Sequence, residues 1–190
     1  MKKKNKAIYL LFLMPFVYFA TACFVVWLVK TSGIYPSGSD TMYHVYRGDY
    51  VYNAIKSGNW YPLYDPAWYN GVEILRYWSP FPAYVMAFCQ YLAGGSQFGA
   101  YLFYIGGVCF LGACVWPFIG RGFNRPYLGA FIGLLWFFMP NNLCAIFIEG
   151  NLARSLSMIF LPVFIYSVYK YLYNHKLRYI PVSYTHLRAH

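Results

Sequence analysis

Along this chain, long uninterrupted apolar runs alternate with shorter stretches that carry nearly all the charge. Four runs are long enough to cross a bilayer as helices: residues 7–29, 97–118, 127–148 and about 155–172, the last with Lys170 able to snorkel to the interface. A fifth run, 80–93, is short. It opens in the Pro-rich Ser79-Pro80-Phe81-Pro82 and closes at Gly94-Gly95, which predicts a re-entrant or interfacial helix. Between the first and second long runs lies a loop, 31–79, too long for a simple connection. Within it the pattern predicts a helix over 40–57, capped by Ser37 or Ser39 and stopped by Gly58, with Gly48 weakening its middle. Residues 59–71, rich in Trp, Tyr, Pro and Gly, read as turns on the headgroup region. Short alternating strands, as a membrane barrel needs, are absent from the pattern, so the predicted class is all-α integral membrane.

Composition agrees. With 60% hydrophobic and only 11% charged residues, the chain has too little polar surface to cover a water-soluble globule. The loop 31–79 resists disorder because Trp60, Trp68, Trp78 and tyrosines such as Tyr43, Tyr46, Tyr64 and Tyr69 leave few solvating residues. A net charge of +10 does not point to nucleic acid, because much of it sits at the ends of apolar runs, where it sets topology. If Lys2, Lys3, Lys4 and Lys6 are cytoplasmic and 80–93 does not cross, then Arg121, Arg125, Lys170, Lys176 and Arg178 also fall inside. All five acids, Asp40, Asp49, Asp65, Glu73 and Glu149, then lie outside. That predicts a multi-pass membrane protein with a cytoplasmic N-terminus and its chemistry at the outer face. The first run is too long for a signal-peptide core and reads as a retained anchor. The cysteines Cys23, Cys89, Cys109, Cys114 and Cys144 lack metal or disulfide spacing and read as small buried hydrophobes. Residues 182–190, VSYTHLRAH, resemble a translated sequencing-library adaptor, so 1–181 is taken as the N-terminal fragment of a polytopic domain and His186 and His190 are set aside.

Two constellations can carry chemistry. On the predicted helix, Asp40, His44 and Arg47 stand at i, i+4 and i+7, which puts a carboxylate, an imidazole and a guanidinium on one face. Such a carboxylate can ligate a divalent metal or activate an acceptor hydroxyl, and the planar guanidinium can hold a phosphate. The same spacing also describes an exposed helix face capped by Asp40, with Arg47 and Asp49 solvated. The second constellation is Glu149-Gly150-Asn151-Leu152-Ala153-Arg154, between two spanning helices on the same side as Asp40. Glu149 can supply a second metal ligand, with Asn151 and Arg154 for substrate, or Glu149 and Arg154 can simply neutralise one another. Pro140 with Asn141 and Asn142 predicts a break in the preceding helix near this site. Gly-rich phosphate loops and nucleophile elbows are absent from the sequence.

The order of these features resembles the polytopic glycosyltransferases of the GT-C fold. The match runs over most of residues 1–181: Ser39-Asp40 soon after the first crossing, a long outer loop with juxtamembrane helices, Tyr77-Trp78-Ser79-Pro80 returning to the membrane, and Glu149-Gly150-Asn151 in the second loop. The pattern Asp40, His44, Arg47, then Gly58-Asn59-Trp60-Tyr61-Pro62 and Gly71, looks most like bacterial membrane proteins labelled as related to 6-pyruvoyl-tetrahydropterin synthase. That label does not imply pterin chemistry in this region.

The resemblance implies a GT-C-like bundle of four spanning helices with juxtamembrane helices in the first outer loop. It implies Asp40 and Glu149 as catalytic acids sharing a divalent metal, Mg or Mn, with His44, Arg47, Asn151 and Arg154 around the substrate. The implied partners are membrane lipid, a polyprenyl-phosphate sugar donor and a glycan, lipid or protein acceptor. The sequence departs from the pattern in its second loop, which has one acid where many relatives carry more. The alternative from another class is a noncatalytic lipid-carrier or polysaccharide-export component of the cell envelope.

Overall fold

The structure, a computed structural model, describes residues 2–36, 38–68 and 70–174. Ser37, Tyr69, Lys176, Arg178 and the stretch 182–190 with His186 and His190 lie outside the described residues. The helices are α1 (Lys2–Ser32), α2 (Thr41–Lys56), α3 (Phe81–Leu92), α4 (Gln97–Gly122), α5 (Pro126–Leu135), α6 (Pro140–Leu143) and α7 (Leu152–Asn174). Four stretches are long and apolar enough to cross a membrane: Phe12–Ser32, Gln97–Gly122, Pro126–Ile148 and Leu152–Tyr173. These are the four expected runs. The described residues contain no strand beyond one antiparallel bridge, Asp65 to Val72, so the chain is an all-α membrane bundle.

α4 is the hub, packed against α1, α3, α5 and α7. Small residues let its neighbours approach. A Cβ on Gly106 would come within 2.9 Å of Val26 on α1, and one on Gly112 within 2.2 Å of the Trp136 ring, while Gly107 faces open space. At the α4–α5 turn the backbones of Gly120 and Gly129 nearly touch. α1 is tied to α5 by the buried Tyr18, whose hydroxyl donates to the Ala130 carbonyl at 2.9 Å.

The third crossing is broken where Pro140 predicts. α5 tightens into a 3-10 turn at Trp136–Phe138, Met139 is extended, and a π-turn at Cys144–Ile148 follows α6. Proline has no N–H to donate and its ring excludes the carbonyl one turn back. The Trp136 carbonyl, which loses the donor at Pro140, accepts from the Asn142 side chain at 2.9 Å and from the Met139 N–H at 3.4 Å.

The expected helix 40–57 is α2 with its two cap residues, Asp40 and Ser57, and Gly58 at φ +87° stops it. Gly48 has a packing role: a Cβ there would lie 2.2 Å from the Met86 side chain, so its absence brings α2 against α3. Val51, Ile74 and Leu75 of the first loop form a small core with Ala83 and Ala87 of α3, which explains how an aromatic loop stays ordered. α3 has 12 residues, about 18 Å of helix, too short to cross a hydrocarbon layer of roughly 30 Å. The cysteines are free, with Cys89 and Cys109 buried as expected and Cys23 exposed on α1, against the expectation that all five are buried.

Candidate functional site

The two acidic loops meet. The Asp40 N–H donates to the Glu149 carbonyl at 3.1 Å, and the Ser39 hydroxyl donates to the same oxygen at 3.1 Å. Glycines make the approach possible. Gly150 sits at φ +69°, and a Cβ on it would lie 2.1 Å from Thr41 Oγ1 and 2.6 Å from the Thr41 nitrogen. Gly38 meets Gly150 from the other side, its Cβ position 2.5 Å from the Gly150 Cα. Asp40 occupies the N-cap position of α2, yet its side chain makes no capping hydrogen bond. Its half-buried carboxylate therefore stands at the junction of the loops without being committed to the helix.

His44 and Arg47 turn inward from the same face. Both are buried, and they line a cavity of about 10 Å³, the size of one water molecule, with Met86, Tyr104 and Leu152. Burial, and then the neighbouring Arg47 charge, holds the His44 imidazole down at about 4, against a smaller opposing pull from Asp40, so it is neutral at pH 7. Arg47 is only 3% exposed and donates to the Ile74 carbonyl at 3.2 Å. Its guanidinium lies over the rings of Tyr43 (5.1 Å) and Trp78 (5.4 Å), and Nε has no hydrogen-bond partner. Burial lowers its pKa. The spacing of Asp40, His44 and Arg47 correctly shares a face, but that face packs against α3, α4 and α7 instead of meeting water.

Glu149 and Arg154 form the open half of the site. Arg154 Nη1 donates to both Glu149 oxygens, at 2.8 and 2.6 Å, and its Nη2 donates to Asn141 Oδ1 at 2.6 Å. Arg154 is exposed and Glu149 half-buried. Asn151 caps α7, its Oδ1 accepting the Arg154 N–H at 2.9 Å, while its own N–H donates to the Ala145 carbonyl at 2.8 Å. The Cys144 thiol is within 3.5 Å of Glu149 Oε1. Sequence reasoning missed the part of Asn141, although its place beside Pro140 signals a residue freed from the helix ladder. Ser39, expected as a cap of the helix, instead donates to the Glu149 carbonyl while Asp40 takes the N-cap position, and Thr41 was missed because no spacing rule points to it.

The remaining acids are engaged elsewhere. Asp49 accepts from the Gln90 amide at 2.6 Å, and Glu73 pairs with Arg76 at the surface. Asp65 is buried, accepting from the Tyr46 hydroxyl and, at 2.9 Å, from the Ala67 N–H. Burial and that carboxylate push Tyr46 up to about 12. Among the described residues no group of three His, Cys, Asp or Glu side chains gathers as a metal cluster. Asp40 and Glu149 supply hard oxygen ligands of the kind Mg²⁺ prefers, an ion commonly held by one or two carboxylates and substrate phosphates. They fit it in type, with Arg154 competing for Glu149.

A family model described as "6-pyruvoyl-tetrahydropterin synthase related domain; membrane protein" matches residues 75–187. The matched region includes Glu149, Asn151 and Arg154 and leaves Asp40, His44 and Arg47 outside it. No curated protein matches, and no solved structure does.

Proposed function

The chain belongs to the 6-pyruvoyl-tetrahydropterin synthase related family of membrane proteins, and from that premise we propose that it is part of a GT-C-type membrane glycosyltransferase. The reaction moves a sugar from a polyprenyl-phosphate donor to an acceptor at the outer face of the bacterial cytoplasmic membrane. The observation that carries this reading is the hydrogen bond between the Asp40 N–H and the Glu149 carbonyl, which joins the two acidic loops at one end of the bundle. Charge supports the sidedness: Arg121, Arg125 and Lys170 lie at the opposite end, as a cytoplasmic N-terminus and the positive-inside rule require.

In this mechanism the acceptor hydroxyl attacks the anomeric carbon while its proton passes to the Asp40 carboxylate. The bond from the anomeric carbon to the donor phosphate oxygen breaks, and the polyprenyl phosphate leaves with that electron pair. Arg154 turns from Glu149 to the leaving phosphate, an exchange of one oxyanion for another at an exposed site. A divalent ion, Mg or Mn, would be held by Asp40 and the released Glu149 and would supply further charge neutralisation at the phosphate. His44 and Arg47 act as positioning residues that fix α2 beneath Asp40.

The test is sugar transfer from a polyprenyl-phosphate donor in reconstituted vesicles, wild type against Asp40→Asn. Loss of a general base predicts a fall of about 100-fold or more with unchanged thermal stability. Equal activities would sink the reading. A noncatalytic lipid-carrier or polysaccharide-export role is favoured by one observation, that both Glu149 oxygens are already occupied by Arg154. Saturable carrier-lipid binding with no turnover in wild type would select it.

A further inference from the structure

At the end of the bundle opposite the acidic loops, α4, the α4–α5 turn and α7 bring positive charge together with no carboxylate beside it. Lys170 on α7 donates from Nζ to the Gly122 carbonyl at 3.1 Å, closing the C-terminus of α4. Its ammonium lies 5.8 Å from the Phe123 ring and 5.5 Å from Tyr166, so the cation is fixed between backbone and aromatic faces. Arg121 on the last turn of α4 and Arg125, whose N–H donates to the Gly120 carbonyl at 2.7 Å, flank this point, and both side chains are exposed. The acids of the chain number five, and each is placed at the other end or in the first loop. The two ion pairs among the described residues, Glu73–Arg76 and Glu149–Arg154, are there as well.

Charge left uncompensated beside an apolar span attracts an anion from outside the chain. Phe123 packs on Tyr166 and Tyr169 with centroids 5.3 and 5.0 Å apart, forming the aromatic rim that marks the headgroup level of a bilayer. A water-borne anion would gain nothing from that rim. We propose that this basic end is a binding site for the headgroup of an anionic phospholipid. Arg121 and Arg125 hold its phosphate with their planar forks, Lys170 sets the local positive field, and the acyl chains lie along α5 and α7. The proposal is independent of the glycosyltransferase reading.

Native mass spectrometry of the detergent-solubilised chain, titrated with phosphatidylglycerol or with phosphatidylcholine of the same acyl chains, tests it. Each basic residue near an anionic surface contributes roughly fivefold, so the two arginines that hold the phosphate, with Lys170 engaged by the Gly122 carbonyl, should make wild type retain phosphatidylglycerol about thirtyfold more strongly. Arg121→Gln/Arg125→Gln should bring the two lipids close to parity. Lys56→Gln/Arg76→Gln, which removes as much charge from the opposite end, should keep the preference. Parity in wild type, or an equal loss in the Lys56/Arg76 variant, would overturn the proposal, the latter by showing that only net charge matters.

Discussion

Arg47 and Arg154 belong to the same end of the molecule and to loops that touch, yet they are held in opposite ways. Arg47 is sealed under Tyr43 and Trp78, with one backbone carbonyl as acceptor and no carboxylate. Arg154 is exposed and grips a carboxylate and an amide at once. A guanidinium held by rings and a fixed carbonyl cannot leave without opening the packing around it. An exposed pair contributes little to stability because water screens it, and so a ligand can break it at small cost. The buried arginine therefore serves architecture, and the exposed one is available for exchange.

The hinge between these regions is where the largest effect is expected. Gly150→Ala would place a methyl group against the Thr41 backbone in a left-handed conformation that L side chains rarely adopt. Strain and overpacking together predict a loss of about 4 kcal/mol in thermal unfolding followed by tryptophan fluorescence. An unchanged transition would show that the loops do not meet as described.

Next comes the contrast itself. Arg47→Ala should cost about 3 kcal/mol, through the cavity left, the lost ring contacts and the orphaned Ile74 carbonyl. Arg154→Ala should cost under about 1 kcal/mol, since both members of its pair reach solvent, which screens them. Comparable losses in the two variants would erase the distinction.

The smallest effect is the dependence on pH. His44 has a folded pKa of about 4, below the ordinary histidine value near 6.5. Between these values the unfolded chain binds a proton that the folded chain does not, so stability rises with pH across this window and is lost as pH falls through it. The full window corresponds to roughly 3 kcal/mol, of which about half is expected by pH 5. His44→Asn, which cannot take up this proton, should flatten the profile. A wild-type profile already flat between pH 5 and 7 would mean that His44 is more open to water than its burial implies.

Much of this was legible beforehand, for identifiable reasons. A spanning helix is specified by length and apolar content alone, so the four crossings follow from runs of residues. α2 could be bounded because Gly58, followed by the turn-forming Asn59 to Gly71, readily takes the left-handed conformation that ends a helix, and the break before the second acidic loop follows from the missing N–H of Pro140. The meeting of the two loops was readable as topology, because charge asymmetry puts both at one end. The burial of Arg47 was not, because its i+7 spacing fixes a face of α2 and says nothing about what covers it. Gly48 shows the same limit. Its propensity suggests a weak helix, while its use is to admit Met86 from a segment nearly forty residues on.

By itself the sequence determined the class of solvent, the crossings, the helix ends and the shared side of Asp40 and Glu149. Each depends on local chemistry or on summed charge, which a linear reading preserves. Only the tertiary structure decided which arginine is buried and which is paired, that the Asp40 carboxylate leaves its helix uncapped, and that Gly38, Thr41 and Gly150 form the junction. The junction depends on contacts between residues more than 100 positions apart, and the burial of Arg47 on groups as distant in sequence as Ile74 and Trp78, where fractions of an ångström decide who touches whom and no spacing rule reaches.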